Sequence, residues 1–424
     1  MTESFLQFLW QQQLIKKDNL LTVRGEKLEI VASGQRNTNS GPDFTNSKIK
    51  IDGRLWAGTV EIHIKSSDWI KHNHSIDRAY DNVILHVVAE HDVEIVRASG
   101  EVIPTFVFEI DKKLFDNYMR LITNKGPIPC ADFLPEIDNF YIKHWQNRLV
   151  VDRLRRKSEE VLAQLKQNEN SWEETFYQFL GKNFGFKQNA LPFDLLTKSL
   201  PLKAIDKQKD SIFQIEAMLF GQAGFLDDDC NDKYFQLLMR EYLFLKSKYS
   251  LTPLRKHLWK FMRMRPTNFP TLRIAQFSAI LFKNYHLFSK IIETKDVKIL
   301  KTLFEVSTSE YWETHFTFGK ESKKTTKNIG NLSIDILLIN TVVLFLFSYG
   351  EETQQEEYKE RALELLESIK SEKNNIIEKW SGVGVICNNA FESQAQIELF
   401  NEYCSKGKCV ECNIGAKIIV NEYF

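Results

Sequence analysis

Residues 41–68 read GPDFTNSKIKIDGRLWAGTVEIHIKSSD, and the order of side chains in that stretch decides the fold. Apolar and polar residues alternate along V-E-I-H-I-K. Val60, Ile62 and Ile64 therefore share one face of a strand while Glu61, His63 and Lys65 share the other, because successive strand side chains point to opposite faces. A half-buried edge strand gives the same alternation. An acid, an imidazole and an amine in succession, however, are a poor means of solubility alone, and they point to chemistry on that face. Gly41-Pro42-Asp43 upstream reads either as an ordinary turn, with Pro presetting φ and Asp bonding its own backbone, or as the entry of a second acid into the same site.

On either side lie further short β-branched segments, LLTVRG, KLEIVASG and KIKIDG before it, DNVILHVVAE, DVEIVR and TFVFEI after it, separated by Gly, Asn and Asp turn signals. A helix is expected over residues 4–15 and a short one near 67–74. VILHVV is apolar on both faces apart from His86, the pattern of a central strand covered on both sides. After the Pro-containing connection KGPIPCADFLPEID the periodicity changes to helical, with no fixed-period repeat. The fold class is therefore α+β: a mixed-sheet α/β head over 1–124, a linker over 125–143, a large helical body over 144–380, and a cysteine-bearing segment over 381–424.

A chain of 424 residues exceeds one core, and 43% hydrophobic with 26% charged residues is a soluble globular composition. The longest apolar run, SIDILLINTVVLFLFSYG (333–350), carries Asp335 and Asn340 and reads as a buried helix rather than a membrane span. The N-terminus lacks a basic region and a small-residue cleavage site, so a cytoplasmic location is expected, where thiols stay reduced. Six cysteines then argue against a disulfide framework.

The head resembles the PD-(D/E)XK nuclease superfamily in its order of helix, strand, a second strand opened by Pro42-Asp43, a third carrying Glu61-x-His63, helix and fourth strand. The resemblance implies a hydrolase in which Asp43 and Glu61 hold Mg²⁺ or Mn²⁺, with His63 standing where that superfamily has a lysine. Lys65, two residues on, is the candidate substitute, and Glu29 a candidate further acid. Such a cation polarises a phosphoryl oxygen and lowers the pKa of bound water, and an imidazole titrating near neutrality suits the proton transfer. The set SGPDF, GTVEIHIKSSDW, HNH and AYDNVILHVV is also similar to an uncharacterised bacterial family of proteins of unknown function. His72, His74, His86 and His91 lie nearby in sequence, and with His63 they would suit Zn, Fe or Mn; the HNH triplet itself is not the HNH nuclease motif.

Two further constellations lie outside the head. Cys387, Cys404, Cys409 and Cys412 are spaced C-x16-C-x4-C-x2-C, a donor set for Zn²⁺ or a [4Fe–4S] cluster that would lock the C-terminal helix in place. The alternative is a buried Cys387 and reduced surface thiols, and Cys130 and Cys230 read as isolated. From Tyr242 to Ile292 no Asp or Glu occurs, although the net charge of the chain is zero. Within this tract Arg255, Lys256, Lys260, Arg263, Arg265 and Arg273 interleave with Trp259, Phe261 and Phe269, a mixture that suits phosphate neutralisation and base stacking on RNA or DNA. The leading expectation is a metal-dependent nuclease that acts on or binds nucleic acid. The alternatives are a catalytically inactive module of the same fold, docking on nucleic acid, a ribosome or a protein complex, and a His-rich metalloenzyme with another substrate.

Overall fold

In the computed structural model of the protein, Asp52 and Gly53 both take positive φ, 46° and 81°, which is the type I′ geometry that matches the twist of two antiparallel strands. That turn joins β3 (Phe44–Ile51) to β4 (Arg54–Lys65), with Ile51 opposite Arg54. On the other edge of β3, antiparallel pairs form with β1 (Leu28–Ala32) and β2 (Gln35–Arg36). Beyond β4 the sheet turns parallel: β5 (Val83–Glu90) pairs with β4, and β6 (Thr105–Val107) with β5. The structure describes residues 1–15, 19–97 and 99–420.

Two helices complete this head. Helix α1 (Glu3–Gln11) starts at Thr2, whose hydroxyl accepts the Phe5 amide, and it packs on β4. Nine residues are too few for a stable helix in water. Burial of Phe5, Leu6, Phe8, Leu9 and Trp10 holds it in place, at about 1.5–3 kcal/mol for each large side chain. The crossover between β4 and β5 holds α2 (Asp68–Lys71), whose Trp69 is buried with Tyr80, Val83, Ile95 and Ile103. All six residues from Val83 to Val88 are buried, the two-sided cover that VILHVV led us to expect.

Gly58 allows the parallel register. A Cβ there would stand 2.5 Å from Ile84 Cγ2 and 2.6 Å from the Asn82 carbonyl oxygen, so only glycine lets the start of β5 come this close to β4. The pairing shifts between Thr59 and Val60. Immediately afterwards Val60, Glu61, Ile62 and His63 are all buried. The polar face of β4 is thus inside the protein, where a buried acid and imidazole require partners.

The chain divides into two compact units, Met1–Trp145 with Leu399–Phe424, and Gln146–Glu398. The last helix, Asn413–Val420, therefore belongs with the head: it packs on α3 (Lys112–Thr123), and the Asn117 side-chain amide reaches the Ile418 and Ile419 carbonyls at 3.4 and 3.3 Å. Boundaries drawn along the sequence could not express this return of the chain. The second unit is helical. Its apolar segment runs as Asn331–Leu337, a π turn at Leu338–Val342 and Val343–Thr353. This is long and apolar enough to cross a membrane, yet 67% of its most apolar window is buried inside the protein, as expected of a core helix.

Candidate metal centre

Asp43 enters β3 and Glu61 lies near the end of β4, and the two carboxylates interlock. Glu61 Oε2 accepts the Asp43 amide at 3.0 Å, and Asp43 Oδ2 accepts the Ile62 amide at 3.0 Å. Gln7 on α1 donates to Asp43 Oδ1 at 2.8 Å. Both carboxyls are pushed up from the usual carboxylate range, first by burial; Glu61 is raised further by the charge of Asp43 and, more weakly, of Glu3. Burial thus favours the protonated carboxyl, and a bound cation would restore the ionised form.

Imidazoles close the other side. Glu61 Oε1 lies 3.5 Å from His63 Nε2 and 3.4 Å from His74 Nε2, and His63 Nε2 is 3.1 Å from His72 Nδ1. The ligand atoms of His63, His72 and His74 all lie within 4.8 Å of one another. Behind them, His63 Nδ1 meets His86 Nε2 at 2.9 Å. His63 is 1% exposed and His86 fully buried. Burial and the neighbouring imidazoles hold His63 and His86 down at about 3 and His74 at about 4, so all three are neutral at pH 7 and offer lone pairs. His74 stacks on Tyr80 at 3.8 Å, with Trp69 edge-on to both, and beyond the Glu61 contact His74 Nε2 finds no hydrogen-bond partner among the described residues. Three imidazoles thus gather beside Glu61, whose other oxygen is tied to the Asp43 amide, and one ring, His72, is on the surface.

Of the residues expected from sequence, Asp43, Glu61 and His63 come together and Lys65 and Glu29 do not. Lys65 points to solvent and pairs with Glu90 at 2.9 Å. Glu29 is exposed and pairs with Lys50 at 3.0 Å across the far end of the sheet. His91 lies instead beside Ser66, 3.3 Å from its hydroxyl. Glu3 and Gln7 on α1 were not expected from sequence; the signal was a polar pair at i and i+4 on a helix that also carries Phe5, Leu6, Phe8, Leu9 and Trp10.

The cysteines fall in both units, and the basic tract lies in the helical one. Cys387 lies in the helical unit and donates to the Gln396 side-chain oxygen at 2.7 Å. Cys404, Cys409 and Cys412 lie in the head unit, as does Cys130. In the helical unit Arg255, Lys256, Lys260, Arg263 and Arg265 are exposed, Lys256 pairing with Asp228. Arg273 corrects the list. It is 8% exposed in the helix Pro270–Lys283, bonded to Gln276 and Asn268 at 3.1 and 2.8 Å and set over the Phe186 ring. The aromatics are likewise packed: Trp259 is buried, donating to the Ala223 carbonyl, and Phe261 lies against Phe225 and Phe269.

A family model described as "Protein of unknown function (DUF2851)" matches residues 3–375. The chain belongs to that family. The matched span contains every residue of the centre on β3, β4, β5 and the crossover. No curated protein and no solved structure matches the chain.

Proposed function

We propose that the head is a divalent-cation-dependent nuclease of PD-(D/E)XK-like build in which imidazoles take the place of the usual lysine. The observation that carries this reading is the meeting of Asp43 and Glu61, from the two strands of one hairpin, with His63 and His74 on the same Glu61 oxygen. The order of helix, four antiparallel strands, helix and parallel strand supports it. Carboxylates alone suit Mg²⁺, but imidazole nitrogens favour a transition metal, and Mn²⁺ accepts both donor types. When bound, the cation polarises a phosphoryl oxygen and acidifies water. Asp43 and Glu61 supply the charge that balances it, and His63 and His74 the neutral nitrogens. His63 Nδ1 meets His86 Nε2, and with the shared proton on His63 Nδ1 its Nε2 would be free to face the cation. His63 is too enclosed to meet incoming water, so His72, the exposed ring, takes the proton that the attacking water loses. The exposed Arg255, Lys256, Lys260, Arg263 and Arg265 neutralise substrate phosphates.

The test is incubation of the purified protein with labelled single- and double-stranded DNA and RNA plus Mn²⁺, beside Asp43→Ala and Glu61→Ala. Cleavage by the parent and a loss of at least about a hundredfold in both variants is expected, from removal of the cation. Binding without cleavage assigns the chain instead to the catalytically inactive module, and cleavage that survives both substitutions overturns the assignment of the site.

A further inference from the structure

The apolar helical segment of the second unit is interrupted by the π turn at Leu338–Val342. Such turns are rare inside helices and recur at functional sites. Two residues of this one, Ile339 and Asn340, enter the wall of a cavity of about 510 Å³, a size typical of small-molecule sites. The cavity lies wholly within Gln146–Glu398. Asn183, also in its wall, fixes the turn: the side-chain amide donates to the Asn340 carbonyl at 3.0 Å and to the Thr341 hydroxyl at 2.9 Å. Phe186 lines the same cavity with φ at 47°, a left-handed backbone that a residue with a Cβ avoids. Strain of this kind persists only where the surroundings impose it, and it gathers at ligand sites.

The lining defines what fits. Phe186, Leu332, Ile336 and Ile339 give an apolar wall, and Leu332 is left 73% exposed there, a cost that an apolar occupant removes. Lys187, Lys370 and Lys373 supply charge. All three are exposed, and none forms an ion pair among the described residues. Of the two acids in the lining, Asp335 pairs with Lys301 at 2.7 Å, so three ammonium groups stand against Glu372 alone. A smaller cavity of about 130 Å³ shares Asn183, Ile339 and Asn340 with the first and is lined by Arg153. The buried Arg153 Nε has no hydrogen-bond partner among the described residues, so the smaller cavity also holds an incompletely satisfied cation.

We propose that the larger cavity binds an amphiphilic small-molecule anion, its apolar body against Phe186, Ile336 and Ile339 and its carboxylate or phosphate head at Lys187, Lys370 and Lys373. Burial of the apolar body supplies most of the affinity. The charged head sets the specificity, since hydrogen bonds from ammonium groups to an ionised acceptor are the strong ones, and a cationic head would meet like charge. Asp43, Glu61 and the histidines take no part, so this inference does not rest on the nuclease reading.

The test is isothermal titration calorimetry of the full-length protein with decanoate and decyl phosphate, beside decyltrimethylammonium, which keeps the chain and reverses the charge. Saturable binding of at least one anion is expected, and the tighter of the two identifies the head group. The cation is expected to bind at least about tenfold more weakly. Lys187→Ala with Lys373→Ala is expected to weaken the anion at least about fivefold and to lessen its salt dependence. Ile336→Trp is expected to abolish binding by filling the cavity, with the far-UV circular dichroism unchanged. Absence of saturable binding to the parent protein, equal affinity for decyltrimethylammonium, or parental affinity in the lysine variant overturns the proposal. The parent protein against the three ligands decides the matter even where Ile336→Trp fails to fold.

Discussion

The Glu61 carboxylate has an amide on one oxygen and two imidazoles on the other, and these neighbours set a pH profile with two limbs. Burial beside Asp43 raises Glu61 above its ordinary 4.5. The folded protein therefore holds a proton that the unfolded chain has released, and stability falls as pH rises above 4.5 toward the folded value. Burial lowers His63, His86 and His74 below their ordinary 6.5. Here the unfolded chain takes up protons that the folded one refuses, so stability falls as pH drops from 6.5 toward 4, at about 1.4 kcal/mol per pH unit for each fully buried ring. Between pH 4.5 and 6.5 the three rings outweigh the carboxyl pair. Thermal unfolding of metal-free protein is thus expected to show a maximum near neutrality, with Mn²⁺ removing the alkaline fall and Glu61→Gln flattening it; a profile without an acid limb would mean that the imidazoles are not enclosed. Asp43, Glu61 and His63 were legible in the sequence because period two put the polar residues of β4 on one face. Gln7, and the retreat of Lys65 to Glu90, were not legible, since neither sequence distance nor alternation says which end of a strand is covered.

At the scale of elements, the centre depends on the spacing of β4 against β5, because His63 is on one and His86 on the other. Gly58→Ala places a methyl group against the Asn82 carbonyl, 2.6 Å from where its Cβ would stand. The expected cost is roughly 1–3 kcal/mol of stability by urea unfolding, together with weaker Mn²⁺ binding as the two imidazoles separate; unchanged values for both would show that the close approach has no role. The strands themselves were largely readable, the Asp52-Gly53 turn and VILHVV, apolar apart from His86, most clearly. The C-terminal helix was not, since the residues that tie it to α3, Asn117 with Ile418 and Ile419, lie 301 and 302 positions apart and carry no local signal.

At the scale of the whole molecule, charge is concentrated rather than balanced. The exposed cations of the tract, Arg255, Lys260, Arg263 and Arg265, stand without an acidic residue from 242 to 292. Arg263→Ala with Arg265→Ala is expected to weaken single-stranded nucleic-acid binding across sequences and to reduce the dependence of log affinity on log salt by about 1.4, at about 0.7 per contact. Arg273→Ala, by contrast, removes a buried hydrogen-bonded cation and is expected to lower stability with little change in that slope. Fluorescence anisotropy at several salt concentrations separates the two, and a salt slope unchanged by the double substitution would remove the tract from any nucleic-acid surface. The head has its own continuity, from Glu411 in the cysteine turn through Arg36 at 3.9 Å to Gln7 at 3.0 Å and on to Asp43 at 2.8 Å. The most direct test of the account is an EPR titration of Mn²⁺ into the parent protein, Glu61→Gln and His74→Ala at pH 7.5. One saturable site showing nitrogen coupling to the metal, weakened at least about tenfold in each variant by loss of a donor, is the predicted result. Absence of a saturable site, or equal affinity in all three proteins, would contradict it.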